Sequence, residues 1–260
     1  MNRLIDFMVN SYLEVRFWLW TNGMISIKRV FDNGLEYLTS HNNEGGEFLT
    51  GMYWGTIHPN DSYQVMTDKP VKFSGHNIML DIIPHNGMYG DYAPLFDVGC
   101  VYYRQPFTYG EFSIRCILPY SDSAFPAFWL SGSKTWTPEI DIFEFLPHNK
   151  DKKGRYSISC TTHTGAPDGN INNKVMVGES YKLHNLKKGC PIEVRLVWAR
   201  DKVEWWYNGI LFRRITQKRI LNDFNQPMWL IINNGTSWDR DIDPYHDVFK
   251  VLAVKHKPLQ

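Results

Sequence analysis

In "TPEIDIFEF", residues 137–145, the carboxylates Glu139, Asp141 and Glu144 are interleaved with Ile140, Ile142 and Phe143. The apolar members read as a buried strand, yet an unpaired carboxylate pays heavily for leaving water or else takes up a proton. Acids kept in such a stretch point to a site. Two carboxyl groups about 5–6 Å apart can share the cleavage of a glycosidic bond, one attacking carbon while the other shuttles the proton. A pair that inverts stands further apart, to admit water. Regular strand geometry does not deliver such a pair here, because Glu139 and Asp141 fall on one face and Glu144, five positions after Glu139, falls on the other. A β-bulge at Ile142–Phe143 adds one residue and returns Glu144 to the face of the other two. The Cα atoms of Glu139 and Glu144 would then stand about 13 Å apart. Asp141 would share a proton or hydrogen bond with a glutamate, and like-charge coupling would keep one group ionised while another stays protonated. The plainer alternative is a solvated edge on which the acids pair with arginines.

The elements that must position these acids read as strands. In "YGEFSIRCILPY", Phe112, Ile114, Cys116 and Leu118 share one face and Glu111, Ser113 and Arg115 the other, the alternation of a half-buried strand. "IEVRLVWARDKVEWWYNGILFRRI" reads as a three-stranded meander whose second turn is Asn208-Gly209, the strongest short hairpin signal. "DNG", "HNG" and "NNG" mark further turns. Many strands and few helical stretches favour a β-sandwich or jelly roll. The exception is the first 25 residues, whose spacing allows a helical N-terminal extension.

Composition narrows the partners. Lys+Arg 28 against Asp+Glu 27 leaves a net charge of +1, which supports neither nucleic acid nor an anionic membrane as partner. The 260 residues, 43% hydrophobic, suit one domain over residues 1–260 with a substantial core. Aromatic content of 15% serves either that core or flat platforms for sugar rings. Cys100, Cys116, Cys160 and Cys190 show no CxxC pairing and read as free buried thiols. No run approaches the ~20 apolar residues of a membrane helix. Asp6, Glu14 and Arg16 interrupt the start of the chain, so the first residues given do not read as a signal peptide.

"FTYGEFSIRCILPY", "FPAFWLSG" and "TPEIDIFEF", in that order, closely resemble glycoside hydrolase family 16, and "VEWWYNGILFRR", "QPMWLIINNG" and "HDVFKVLAVKHK" extend the likeness from about Val101 to the C-terminus. The resemblance implies an all-β, concanavalin A-like jelly roll of two antiparallel sheets with an open cleft. It implies a retaining endo-β-glycosidase acting as a monomer on a polysaccharide, extracellular or at the cell surface, without metal or organic cofactor. By position, Glu139 is the nucleophile, Glu144 the general acid/base and Asp141 the residue that orients the nucleophile. Trp129 matches a tryptophan under the sugar, or packs in the core. His163 matches a histidine touching the acids, or is structural.

Trp136 reads as a loop platform, and Trp54 and Trp238 as extensions of the groove. Arg104 binds a hydroxyl, carboxylate or sulfate, or holds local structure. Asn233 and Asn234 donate to substrate or shape a turn. The acidic run "DRDIDPYHD" is no EF-hand, since Pro244 takes the glycine position, while Asp247 resembles a ligand of the structural calcium found in relatives. Thr137-Pro138 replaces the glycine that usually leads into the signature of laminarinases and lichenases, which leaves β-glucan and red-algal galactan both open. A lectin-like module on the same fold, binding glycan without cutting it, is the alternative from a different class.

Overall fold

The computed structural model of the protein describes residues 2–21, 24–25, 34–38, 47–57, 63–132, 137–150, 152, 154–165, 175–182, 186, 188–236 and 248–259. A helix, α1 (Asn2–Thr21), precedes the short strands β1 (Glu36–Tyr37), β2 (Phe48–Thr50), β3 (Gln64–Met66), β4 (Val71–Ser74), β5 (Asn77–Leu80) and β6 (Ile82–Pro84). Longer strands follow: β7 (Phe96–Tyr103), β8 (Gly110–Ile117), β9 (Ala124–Gly132), β10 (Glu139–Phe145), β11 (Ser157–Thr164) and β12 (Val175–Lys182). The meander is β13 (Ile192–Ala199), β14 (Lys202–Tyr207) and β15 (Ile210–Ile215); one turn of helix, α2 (Lys218–Leu221), leads to β16 (Met228–Thr236) and β17 (Phe249–Lys257).

Among the described residues these strands form two sheets. The first runs β15-β14-β13-β8-β17-β5-β4 with β1 also on β17, and the second runs β12-β11-β10-β9-β16-β7-β2 with β3 and β6 also on β7. Alternation explains how they stack. Phe112, Ile114 and Cys116 of β8 and Val194, Leu196 and Trp198 of β13 turn inward and meet Phe128, Leu130, Ile140 and Ile232 of the second sheet in one core. A separate cluster that includes Val98, Cys100, Ala127, Trp129 and Ile231 lies on the other side of the second sheet. That outer face carries the acids.

The hairpin at Asn208-Gly209 forms as expected, both residues having positive φ (45° and 77°), the conformation that a two-residue turn between twisted strands requires. "NNG" does not turn: Asn233 and Asn234 lie within β16. Asn234 is buried and donates from Nδ2 to Leu80 O at 3.0 Å, so this amide ties one sheet to the other. Gly99 belongs to the same close approach, since a Cβ there would stand 2.8 Å from Leu80 Cα. Cys100, Cys116 and Cys160 are free and buried, but Cys190 is free and exposed, since it precedes β13 outside both cores. Burial pushes the Cys100 and Cys116 thiols up, which keeps them unreactive.

α1 covers an edge. β15 ends its sheet, and Asn10 meets it as another strand would: Nδ2 donates to Arg214 O and Oδ1 accepts from Arg214 N–H, both at 2.8 Å. Leu13 and Phe17 are buried beneath the helix, and the opposite side of α1 presents Leu4, Phe7, Met8, Tyr12, Val15 and Trp18 outward. No helix among the described residues is long and apolar enough to cross a membrane.

His256 on β17 packs against Phe107 and Phe112, with ring centroids 4.5 and 4.8 Å away. Gly110 leaves it room, since a Cβ there would come within 2.6 Å of Nε2. Burial lowers its pKa from the ordinary 6.5 to about 4. Above pH 6.5 the ring is neutral folded or unfolded and its contribution is constant. As pH falls from 6.5 to about 4, the unfolded chain takes up a proton that the folded chain excludes, so stability declines. Melting curves across this window should show a smaller loss of Tm in His256→Leu than in the parent; parallel losses would contradict the assignment.

Candidate active site

The bulge expected from parity is present. Asp141 pairs with Trp129 on β9 and Phe143 pairs with the next residue, Phe128, so Ile142 is the extra residue. On the other side, register shifts between Asp141 and Glu144 as well. Ile142 and Phe143 are neighbours in sequence, yet both belong to the inter-sheet core and both are fully buried. Two consecutive inward residues are what resets the alternation.

Register then fixes which way the acids point, because residues opposite one another in a ladder share a face. Three rows cross the second sheet. Trp229, Ser131, Glu139 and His163 form one, Ile231, Trp129, Asp141 and Thr161 the next, and Asn233, Ala127, Glu144 and Ser159 the third. Ala127, Trp129 and Ile231 mark the outer face, so Asp141 and Glu144 lie there. The solvated edge is ruled out: β10 is an interior strand between β9 and β11.

His163 sits among the acids, its Nε2 3.1 Å from Asp141 Oδ2 and 3.3 Å from Glu139 Oε1. One imidazole nitrogen is thus shared between two carboxylates that are 6% and 14% exposed. The donor atoms of Glu139, Asp141 and His163 lie within 4.8 Å of one another, a set that could hold a metal ion. Tyr53 closes this end. Its hydroxyl donates to Gly132 O at 2.6 Å, and its pKa is raised, first by burial and further by the nearby charge of Glu139, against a hydrogen bond with Ser131.

Aromatic rings continue the rows away from the acids. Trp129 is 9% exposed and donates from Nε1 to Asn233 Oδ1 at 2.8 Å, so Asn233 orients this ring. Trp54, 38% exposed, meets Trp129 edge-on at 6.0 Å. Tyr53 stacks on Trp229 at 5.2 Å, and Tyr102 meets Trp229 edge-on. Sequence reasoning passed over Tyr53, Tyr102 and Trp229. Trp229 and Tyr102 share the outer-face parity of Ile231 and Cys100 within their strands, the signal that could have found them. Arg104 lies past the end of β7, half exposed, with Nε 3.1 Å from Glu47 Oε2, so its charge is matched locally and not by the acid cluster. Trp136, Trp238 and Asp247 lie outside the described residues.

Two antiparallel sheets packed face to face, with acids, an imidazole and a wall of rings on the open face of one, define a jelly-roll sandwich with a site suited to sugars. The chain belongs to the glycosyl hydrolases family 16, whose family model matches residues 94–247. It is 28% identical over 127 residues to endo-1,3-1,4-beta-glycanase EglC of Rhizobium meliloti (strain 1021), covering 48% of this chain and 24% of that protein. It is 27% identical over 161 residues to a beta-glucanase of Rhodothermus marinus, covering 54% of each. The chain thus spans from a quarter to a half of the length of these relatives. The laminarinase from Flavobacterium sp. UMI-01 superposes with a TM-score of 0.66 at 18% identity, over 88% of this chain and 99% of that one. At that identity the likeness speaks for the fold.

Two carboxylates around one donor repel each other, and site geometry of this kind is held against stability. Glu139→Gln should therefore raise Tm at pH 7 by a few degrees, while His163→Ala, which removes the shared donor, should lower it, at a cost of about 1.5–3 kcal/mol. An unchanged or lowered Tm in Glu139→Gln would contradict the close approach of the acids.

Proposed function

We propose that this chain is a retaining, endo-acting glycoside hydrolase that cleaves internal β-linkages of a β-glucan outside the cell. The observation that carries the reading is the register shift at Ile142, which sets Glu139, Asp141 and Glu144 on one face beside the ring-lined rows. In the first step Glu144 gives its proton to the glycosidic oxygen while Glu139 attacks the anomeric carbon; the C–O bond breaks and a glycosyl ester forms on Glu139. In the second, Glu144 takes a proton from water, the oxygen attacks the same carbon, and the ester bond returns its electron pair to Glu139. Asp141 and His163 hold the nucleophile's carboxylate in place. Trp54, Trp129 and the Tyr53–Trp229 pair offer faces and edges for successive sugars. The β-glucan assignment follows the relatives named as glucanases and laminarinase, and an open face crossed by several rows suits a chain entered at an internal bond.

No metal takes part in this scheme, since an ion held by Glu139, Asp141 and His163 would occupy the nucleophile. Dialysis against EDTA, with calcium restored, should leave turnover unchanged; a loss that zinc repairs and calcium does not would make the cluster a metal centre instead.

The test of the function is incubation with a panel of β-1,3-, mixed β-1,3-1,4-glucans and red-algal galactans, with analysis of the products. Shortened oligosaccharides of several lengths from a β-glucan are expected, and Glu139→Gln should reduce their formation by at least about 10³-fold. Cleavage of a galactan only would overturn the substrate assignment. Binding without cleavage would favour a lectin.

A further inference from the structure

The bulge that turns Glu144 outward is held from behind, by the opposite sheet. Its extra residue, Ile142, has no cross-strand partner on β9 or β11, and the carbonyls at and just before it draw donors from side chains as well as from the ladders. Two are supplied. Asp141 O accepts from the indole Nε1 of Trp205 at 3.1 Å, and Ile142 O accepts from the Cys160 thiol at 3.2 Å. Cys160 is on the adjacent strand β11, but Trp205 is on β14, so its hydrogen bond crosses the whole core from one sheet to the other.

The donor is itself held. Arg213 faces Trp205 across the β14–β15 ladder, and its guanidinium lies 4.7 Å from the centre of the indole. It also donates to Cys160 O. Both residues are buried, Trp205 at 0% exposure and Arg213 at 1%. Desolvating a guanidinium costs stability, and an apolar pair of the same volume would fill this space without that cost. What an apolar pair lacks is a polar chain ending on two consecutive carbonyls of the strand that bears the acids.

We propose that Trp205 is a positioning residue for the acid pair: its indole N–H, delivered across the core and steadied by Arg213, fixes the bulge and so the relative placement of Glu139 and Glu144. This rests on the reading of those two as nucleophile and acid/base. It adds a determinant that touches neither substrate nor the reacting atoms.

The test compares Trp205→Phe with Trp198→Phe. Trp198 is an equally buried tryptophan of the same sheet, on β13, whose indole N–H has no hydrogen-bond partner among the described residues. Both variants remove similar volume and should lower Tm, Trp205→Phe the further because it also takes a buried donor from Asp141 O, and Trp205→Phe alone releases the bulge. On the glucan the parent cleaves, Trp205→Phe should lower kcat about 10- to 100-fold, the penalty of an ångström-scale misplacement, with KM within about twofold of the parent. Trp198→Phe should keep kcat within about twofold. A folded Trp205→Phe with parental kcat, or an equal fall in both variants, would overturn the proposal. Should the parent cleave no glycan, the reading of function fails separately, and carboxyl titration by carbon NMR decides this one. The titration curves of Glu139 and Glu144 should move in Trp205→Phe and not in Trp198→Phe; curves unmoved in both would overturn it.

Discussion

Side chains on a strand alternate between faces, and three acids at positions 139, 141 and 144 cannot obey that rule and share a face. The register shift at Ile142 is how the chain reconciles the two. Inward-facing Ile142 and Phe143 absorb the extra residue in the core, and Glu144 comes out beside Ala127 instead of entering an apolar layer. Without the shift, Glu144 would fall opposite Pro126 and Ile158 in the apolar layer, where it would be protonated or would unfold the sheet. The bulge is therefore as much a condition of the fold as of the chemistry.

The rest of the sandwich can be understood as what keeps that irregularity in place. β10 lies between β9 and β11, so two ladders define where regular pairing stops and resumes. Behind it, the aromatic layer of the first sheet fills the core and delivers one hydrogen-bond donor to the strand. In front, Ala127, Ser131 and Ser159 flank the two glutamates in their rows, while Trp129 stands directly beside Asp141 and Trp229 lies one strand beyond Ser131. Floor and wall are thus set by one lattice of register, and the distance from the acids to the rings is counted in strands, about 4.8 Å each.

Much of this was legible in the sequence, and the reasons differ by element. The meander and β8 were readable because alternation and the Asn-Gly turn are local. The bulge was readable because parity left no other way to gather the acids. "NNG" misled: its residues look like turn formers, but Asn234 is buried to bond the other sheet and Asn233 to hold Trp129, so long-range partners overrode local propensity. Tyr53, Tyr102 and Trp229 were missed because a half-buried ring on the outer face has the same sequence signature as a core ring. The embrace of Asp141 by His163 came from family resemblance, since no spacing rule connects positions 22 apart. Nothing local announced Trp205, whose partner is a backbone carbonyl in the other sheet.

The central claim is that Glu139 and Glu144 stand on one face, near enough for one to form the glycosyl ester and the other to move the proton. The stereochemistry of the newly released sugar tests this most directly. Proton NMR, recorded in the first minutes of cleavage of a β-glucan, distinguishes the anomers before they equilibrate. The account predicts that the β-anomer appears first and that the α-anomer grows only as mutarotation proceeds. If the α-anomer appeared first, a single displacement by water across a wider gap would be at work, and the geometry assigned to these acids would be wrong.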